Sequence, residues 1–196
     1  MSKTIEPKES DKLRLLSLFS GCGGLDLGFE GNFRVIKEAV NPVINADWEL
    51  EFDIDNWANL PKNKFTIVFA NDIREDAKIA WENYFKIQNV YHLDSIVDLV
   101  KAYRNGDFVF PKNIDVLTGG FPCQDFSIAG KRGGFDSHKC HNGKALSEDA
   151  PSIESRGQLY MWMREVIEIT MPKVFIAENV KGLADFGNVK TDEVAL

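Results

Sequence analysis

The chain has no apolar run that approaches the ~20 residues a bilayer-spanning helix requires. Its first residues, Met1-Ser2-Lys3-Thr4-Ile5-Glu6-Pro7-Lys8-Glu9-Ser10, are polar and charged and contain no apolar segment of the secretory kind. A membrane protein is therefore not expected, and a cytoplasmic location is. Cysteine is scarce: three residues at unrelated spacings make no disulfide framework, which fits a reducing compartment. Positive charge is also in deficit, with 23 Lys and Arg against 30 Asp and Glu and a net charge of −7. A nucleic-acid binder usually carries a basic footprint, so any such surface must be local or lie on another part of the molecule. Repeats and low-complexity tracts are absent. The cluster His138-Lys139-Cys140-His141 invites a zinc reading, but no second cluster exists to complete four ligands, and no metal is expected.

What is present is enough for one core. A chain of 196 residues with 44% hydrophobic content suits a single domain. Residues 1–12 read as a loose arm. Leu13-Arg14-Leu15-Leu16-Ser17-Leu18-Phe19 reads as a buried strand, ended by Ser20-Gly21-Cys22-Gly23-Gly24, with a helix from Leu25 to Glu30. Between 31 and 64 the pattern is weaker, with Arg34–Val40 and Trp48–Phe52 as candidate extended segments. Phe65–Ala70 is a clear buried strand running into Asn71-Asp72. A helix follows with Ala77, Ala80, Trp81 and Phe85 at helical spacing. A short strand at Val90–Asp94, a helix near 95–104, a strand at Ile114–Thr118, a helix at Gln158–Thr170 and a strand at Lys173–Ala177 complete the series. Strands alternating with helices predict an α/β fold, a mainly parallel, doubly wound sheet. The polar, glycine-rich stretch 131–157 reads as a functional or disordered loop.

The chemistry collects at strand ends. Gly119-Gly120-Phe121-Pro122-Cys123-Gln124 places Cys123 just past a strand's C-terminal end, where open α/β sheets bind ligands. A thiol there can be activated by nearby backbone N–H groups; a small buried apolar role is the alternative. The glycine turn 19–24 lets a ligand approach the backbone at a helix start. Asp72 is placed to accept from ribose hydroxyls, and Asp94 from an exocyclic amine; a helix N-cap is the alternative for each, and for Asp94 an equal one.

Phe19-Ser20-Gly21-Cys22-Gly23-Gly24, Gly120-Phe121-Pro122-Cys123-Gln124 and Glu178-Asn179-Val180 resemble the cofactor loop, nucleophile motif and acid motif of the DNA (cytosine-5)-methyltransferases, in that family's order. The resemblance covers roughly 14–186 and implies a Rossmann-like methyltransferase domain over 13–196, partial at its C-terminal end, with insertions at 31–64 and 135–155. It implies S-adenosylmethionine as cofactor, with Phe19 and Ile73 against adenine, Asp72 on the ribose and Asp94 on the amino group. Ser20, Gly21, Cys22, Gly23, Gly24 and Leu25 would border the methionine side, and Ser95, Pro122 and Leu159 would complete the pocket.

The same resemblance implies that Cys123 attacks carbon 6 of a flipped cytosine in double-stranded DNA while Glu178 protonates ring nitrogen 3. Burial of Glu178 at its strand end would favour the protonated acid; an ordinary surface carboxylate is the alternative. Pro122, Gln124, Ser127, Lys131, Arg132, Asn179 and Val180 would meet the base or the DNA, the two cations being otherwise ordinary surface charges. Gly-Phe before Pro-Cys favours DNA over the tRNA-methylating branch. Only thirteen residues follow Leu183, whereas family members continue into a recognition domain and further strands. The expectation is a truncated or split enzyme, inactive alone, needing a complementing C-terminal polypeptide and working beside a cognate restriction endonuclease.

Overall fold

A computed structural model describes residues 12–41, 43–44, 50–123 and 158–181. Short apolar runs become the strands of one parallel sheet: β1 (Leu13–Leu18), β4 (Phe65–Asn71), β5 (Tyr91–His92), β6 (Val116–Gly120) and β7 (Val174–Glu178). Their order is β5-β4-β1-β6-β7. The chain leaves β1 for β4 and β5 on one side, then crosses to β6 and β7 on the other. The order therefore reverses between β1 and β6, the position at which open α/β sheets form a ligand crevice.

Helices cover both faces because the strands alternate. Leu16 and Leu18 of β1 join Phe69, Leu117 and Phe121 beneath α3 (Ile96–Asn105) and α4 (Leu159–Thr170), where Val97, Val100, Trp162, Met163 and Val166 are buried. Leu15, Ile67, Ala70, Tyr91 and Val116 face the other way, beneath Trp81 and Phe85 of α2 (Glu75–Phe85) and the partly buried Leu27 and Phe29 of α1 (Gly24–Glu30). Trp81 is fully buried, and its indole N–H donates to Asp26 Oδ2 at 2.7 Å. Burial pushes the Asp26 carboxyl up from its ordinary range, against smaller opposing hydrogen bonds from Ser17 and Trp81.

Three expectations change. The antiparallel pair within 31–64 is β2 (Arg34–Ile36) with β3 (Trp57–Asn59); residues 50–52 of the expected second segment are not strand. The pairing is held by the Arg34–Asp53 ion pair and by the Arg34 guanidinium 5.2 Å from the Trp57 ring centre, contacts that no apolar run announces. Ala80, counted on the buried face of its helix, is exposed, and the packed stripe is Ala77, Trp81 and Phe85. Neither aspartate is the expected helix cap. The α3 cap is Ser95, whose Oγ accepts from Val97 N–H at 3.3 Å, and the α2 cap position is Arg74.

Candidate active site

The C-terminal ends of β1, β4, β6 and β7, with the start of α3, contribute to one crevice. At the end of β1 the backbone turns sharply: Phe19 has φ +53° and Gly21 φ +52°, the left-handed region that disfavours a side chain such as that of Phe19. Ser20 ties this turn to β4. Its N–H donates to Asn71 O at 2.8 Å, its Oγ accepts from Asn71 N–H at 3.1 Å, and its hydroxyl lies 2.9 Å from Ser17 Oγ. A Cβ on Gly21 would meet nothing within 4 Å, so the loop presents bare backbone to open space. Gly23 answers a different need: with φ +92°, a Cβ there would sit 2.4 Å from Phe85 Cε2, so its hydrogen admits α2.

The β4 end supplies Asn71 and Asp72. Asn71 is buried, and its amide donates to His92 O at 3.1 Å and Asp94 O at 2.7 Å, binding the β5 turn to the glycine turn. Asp72 Oδ2 accepts from Gly21 N–H at 3.0 Å and Oδ1 from Arg74 N–H at 3.1 Å. Each oxygen keeps a second lone pair for a ligand hydroxyl. On β5, His92 stacks on Phe69 with ring centres 4.6 Å apart, and burial holds its imidazole below the usual titration range.

The β6 and β7 ends approach each other through glycine. A Cβ on Gly119 would lie 2.8 Å from Met163 Sδ, and one on Gly120 would lie 3.1 Å from Glu178 Oε2. Gly120 and Glu178 are register partners. Phe121 anchors the next turn in the core, while Cys123 is half-exposed. Asn179 Nδ2 donates to Phe121 O at 2.9 Å, bracing the cysteine turn against the turn that follows Glu178.

These ends enclose a cavity of about 340 Å³ lined by Phe19, Asp72, Ile73, Ser95, Pro122, Cys123, Leu159 and Glu178. Gly120 and Phe121 of the cysteine motif also line it, as do Asn71, Arg74 and Ile96, which were not singled out from sequence. Asn71 was the most legible of these, as a polar residue in the last position of a buried strand. Ser20, Gly21, Cys22, Gly23, Gly24, Leu25, Asp94, Asn179 and Val180 stand outside this lining; Cys22 is exposed, and Val180 packs against the core. Glu178 is exposed, contrary to the expected burial, because β7 is the sheet's edge among the described residues. Gln124, Ser127, Lys131 and Arg132, like the His138–His141 cluster, lie outside the described residues.

The arrangement offers an apolar compartment from Phe19, Ile73, Ile96 and Leu159 with a carboxylate at its side. It opens onto a thiol and a second carboxyl group.

Residues 13–196 match the family model for C-5 cytosine-specific DNA methylase. The chain is 35% identical over 182 residues to the type II methyltransferase M.BsuRI of Bacillus subtilis, covering 91% of this chain and 34% of that protein. It is 30% identical over 189 residues to the type II methyltransferase M.Sau96I of Staphylococcus aureus, covering 96% of this chain and 32% of that one. An orphan methyltransferase of Bacillus phage SPbeta, M.SPBetaI, is 33% identical over 194 residues, covering 90% of this chain and 35% of its own length. The chain thus spans about a third of the length of these relatives.

Proposed function

Because the chain belongs to the C-5 cytosine-specific DNA methylase family, we propose that it carries the catalytic part of a DNA cytosine methyltransferase of restriction–modification type. The observation that supports this reading best is that Cys123 and Glu178 line the same cavity as Phe19, Asp72, Ile73 and Leu159. Nucleophile, acid and nucleoside-binding groups therefore share one continuous space.

S-adenosylmethionine, when bound, supplies an electrophilic methyl group beside the target base. Phe19, Ile73 and Leu159 would enclose its adenine side, with Asp72 toward the ribose, Asp94 toward the amino group and the backbone of 20–24 toward the methionine side. The chain's own residues do the rest. The Cys123 thiolate forms a bond from Sγ to carbon 6 of a cytosine flipped out of the duplex, and the pyrimidine double bond's electrons move toward ring nitrogen 3. Glu178 donates its proton to that nitrogen, which makes carbon 5 electron-rich. After methylation the carbon 5 proton leaves to a base. Its electron pair re-forms the 5,6 double bond as the bond to Sγ breaks, and Glu178 recovers its proton from nitrogen 3. Pro122 and Asn179 border the reacting base. Gln124, Ser127, Lys131 and Arg132 would meet the base or the DNA.

The partners in this reading are duplex DNA, a restriction endonuclease of the same system, and a polypeptide that covers β7. On that edge Val174 and Ile176 are 55% and 42% exposed, an apolar margin suited to pairing with a further strand. The same exposure favours a second reading: the chain alone binds cofactor weakly and does not turn over until that edge is covered.

Methyl-labelled S-adenosylmethionine, offered with duplex DNA or with tRNA, tests the proposal on the chain alone and with a complementing C-terminal polypeptide. Label in DNA in the complemented sample is expected. Label in tRNA alone would move the substrate, and label in neither would leave a binding fragment.

A further inference from the structure

The hydrogen bonds around Gly21 single out a residue that neither the motifs nor the mechanism uses. Gly21 is held at both ends of its residue. Its N–H donates to Asp72 Oδ2 at 3.0 Å, and its carbonyl accepts from the Tyr91 hydroxyl at 2.9 Å. The two partners come from different strand ends, and Tyr91 lies 70 residues along the chain from the glycine.

We propose that Tyr91 is a positioning residue of the cofactor loop: its phenol and the Asp72 carboxylate clamp Gly21 so that the turn after β1 keeps one orientation beside Phe19 and Asp72, which line the cavity. The inference rests on the proposed function, since it assigns the loop a ligand.

Three features support it. The clamp is needed, because a glycine at φ +52° with no neighbour within 4 Å of a Cβ position has no packing of its own to fix it. The clamp is also rigid. Tyr91 is 4% exposed, set among Leu15, Ile67, Ala70, Trp81 and Phe85, with its ring 5.4 Å from that of Trp81. Asp72 cannot swing freely, because its other oxygen accepts from Arg74 N–H. Finally, the clamp is a constant donor: burial, reinforced by the negative charges of Asp72 and Asp26, pushes the Tyr91 hydroxyl well above its ordinary range, so it stays protonated. Asp72 then has two tasks, holding the loop with one lone pair and the ligand with another. A loop ordered before the ligand arrives is one that the ligand need not order.

The test compares Tyr91→Phe with Thr170→Val. Thr170 is buried, and its hydroxyl donates to Val166 O at 2.7 Å at the far end of α4 from Leu159, so the control also removes one hydrogen bond. Amide exchange is read at Gly21 and Gly23, whose N–H groups donate to Asp72 and Ser20 O, against Leu117 in the sheet centre, and S-adenosylmethionine affinity is read by calorimetry. Tyr91→Phe is expected to speed exchange at Gly21 and Gly23 about 3- to 10-fold, with Leu117 little changed, and to weaken affinity by a similar factor, the worth of one hydrogen bond. Thr170→Val is expected to leave the loop and the affinity unchanged. Loop exchange unaltered by Tyr91→Phe, or an affinity loss no larger than the control's, would overturn the proposal. If the wild-type chain bound no S-adenosylmethionine even with the complementing C-terminal polypeptide, the proposed function would fail on that count, and loop exchange alone would decide the clamp.

Discussion

Single residues divide into those that do chemistry and those that hold them. Glu178 tests the division, because it is exposed at the end of β7, an edge strand among the described residues, and it lines the cavity. Glu178→Gln keeps the shape and removes the donated proton. It should lower the methylation rate about 10²- to 10⁴-fold, the usual worth of a positioned acid, while DNA affinity stays within a factor of about three of wild type. A gel-shift titration beside a single-turnover assay separates the two, and parallel losses would mean a structural role. His92 gives a pH signature. Burial lowers its folded pKa below the unfolded value, with Lys78 acting in the same direction and Asp94 opposing. The unfolded chain therefore binds the proton first as pH falls. Stability is full above about 6.5 and declines as pH drops from there toward the folded pKa. Chemical denaturation at pH 7.5 and 5.5 should show a larger loss for wild type than for His92→Phe, which keeps the stacking on Phe69. Equal losses would remove His92 from the account.

At the scale of elements, the two close glycines of the first turn serve different ends, and their substitutions should part company. Gly23→Ala forces a Cβ into Phe85 at a left-handed φ and should cost about 1–3 kcal/mol or more in a denaturant midpoint. Gly24→Ala meets open space at the first position of α1 and should be neutral or slightly stabilising. A neutral Gly23→Ala would refute the packing assigned to it. The parallel strands were legible because each is a short run of buried apolar residues bounded by turn signals. The pair β2–β3 was not, since Trp57-Ala58-Asn59 has no such run and owes its place to Arg34 and Asp53. In the site, Cys123, Glu178, Asp72 and Leu159 could be named from motifs, and they line one cavity. Asn71 and Tyr91 could not. Their work is hydrogen bonding to Ser20, Asp94 and Gly21 across strand ends, which local sequence does not encode. The exposure of Glu178 was missed for a related reason, because an apolar strand reads as buried whether or not a neighbour covers it.

At the scale of the whole molecule, β7 decides how the chain behaves. Its outward edge and faces leave Val174 and Ile176 accessible, and a flat apolar edge tends to pair with another strand. Sedimentation of the isolated chain should show concentration-dependent association that Ile176→Lys reduces. A monomer at every concentration in both would show that the edge is not sticky. The chain spans about a third of the length of its relatives, so the central claim is best tested where the rest of such a protein is present. The measurement is mass-spectrometric location of methyl label in duplex DNA after reaction with a chimera in which this chain replaces the matching third of the Bacillus subtilis relative. The account predicts label on carbon 5 of cytosine, abolished by Cys123→Ser with S-adenosylmethionine binding retained, because a hydroxyl cannot form the carbon 6 adduct at useful rates. Label that persists within about tenfold in the Cys123→Ser chimera, or that lies on another atom of the base, would contradict it.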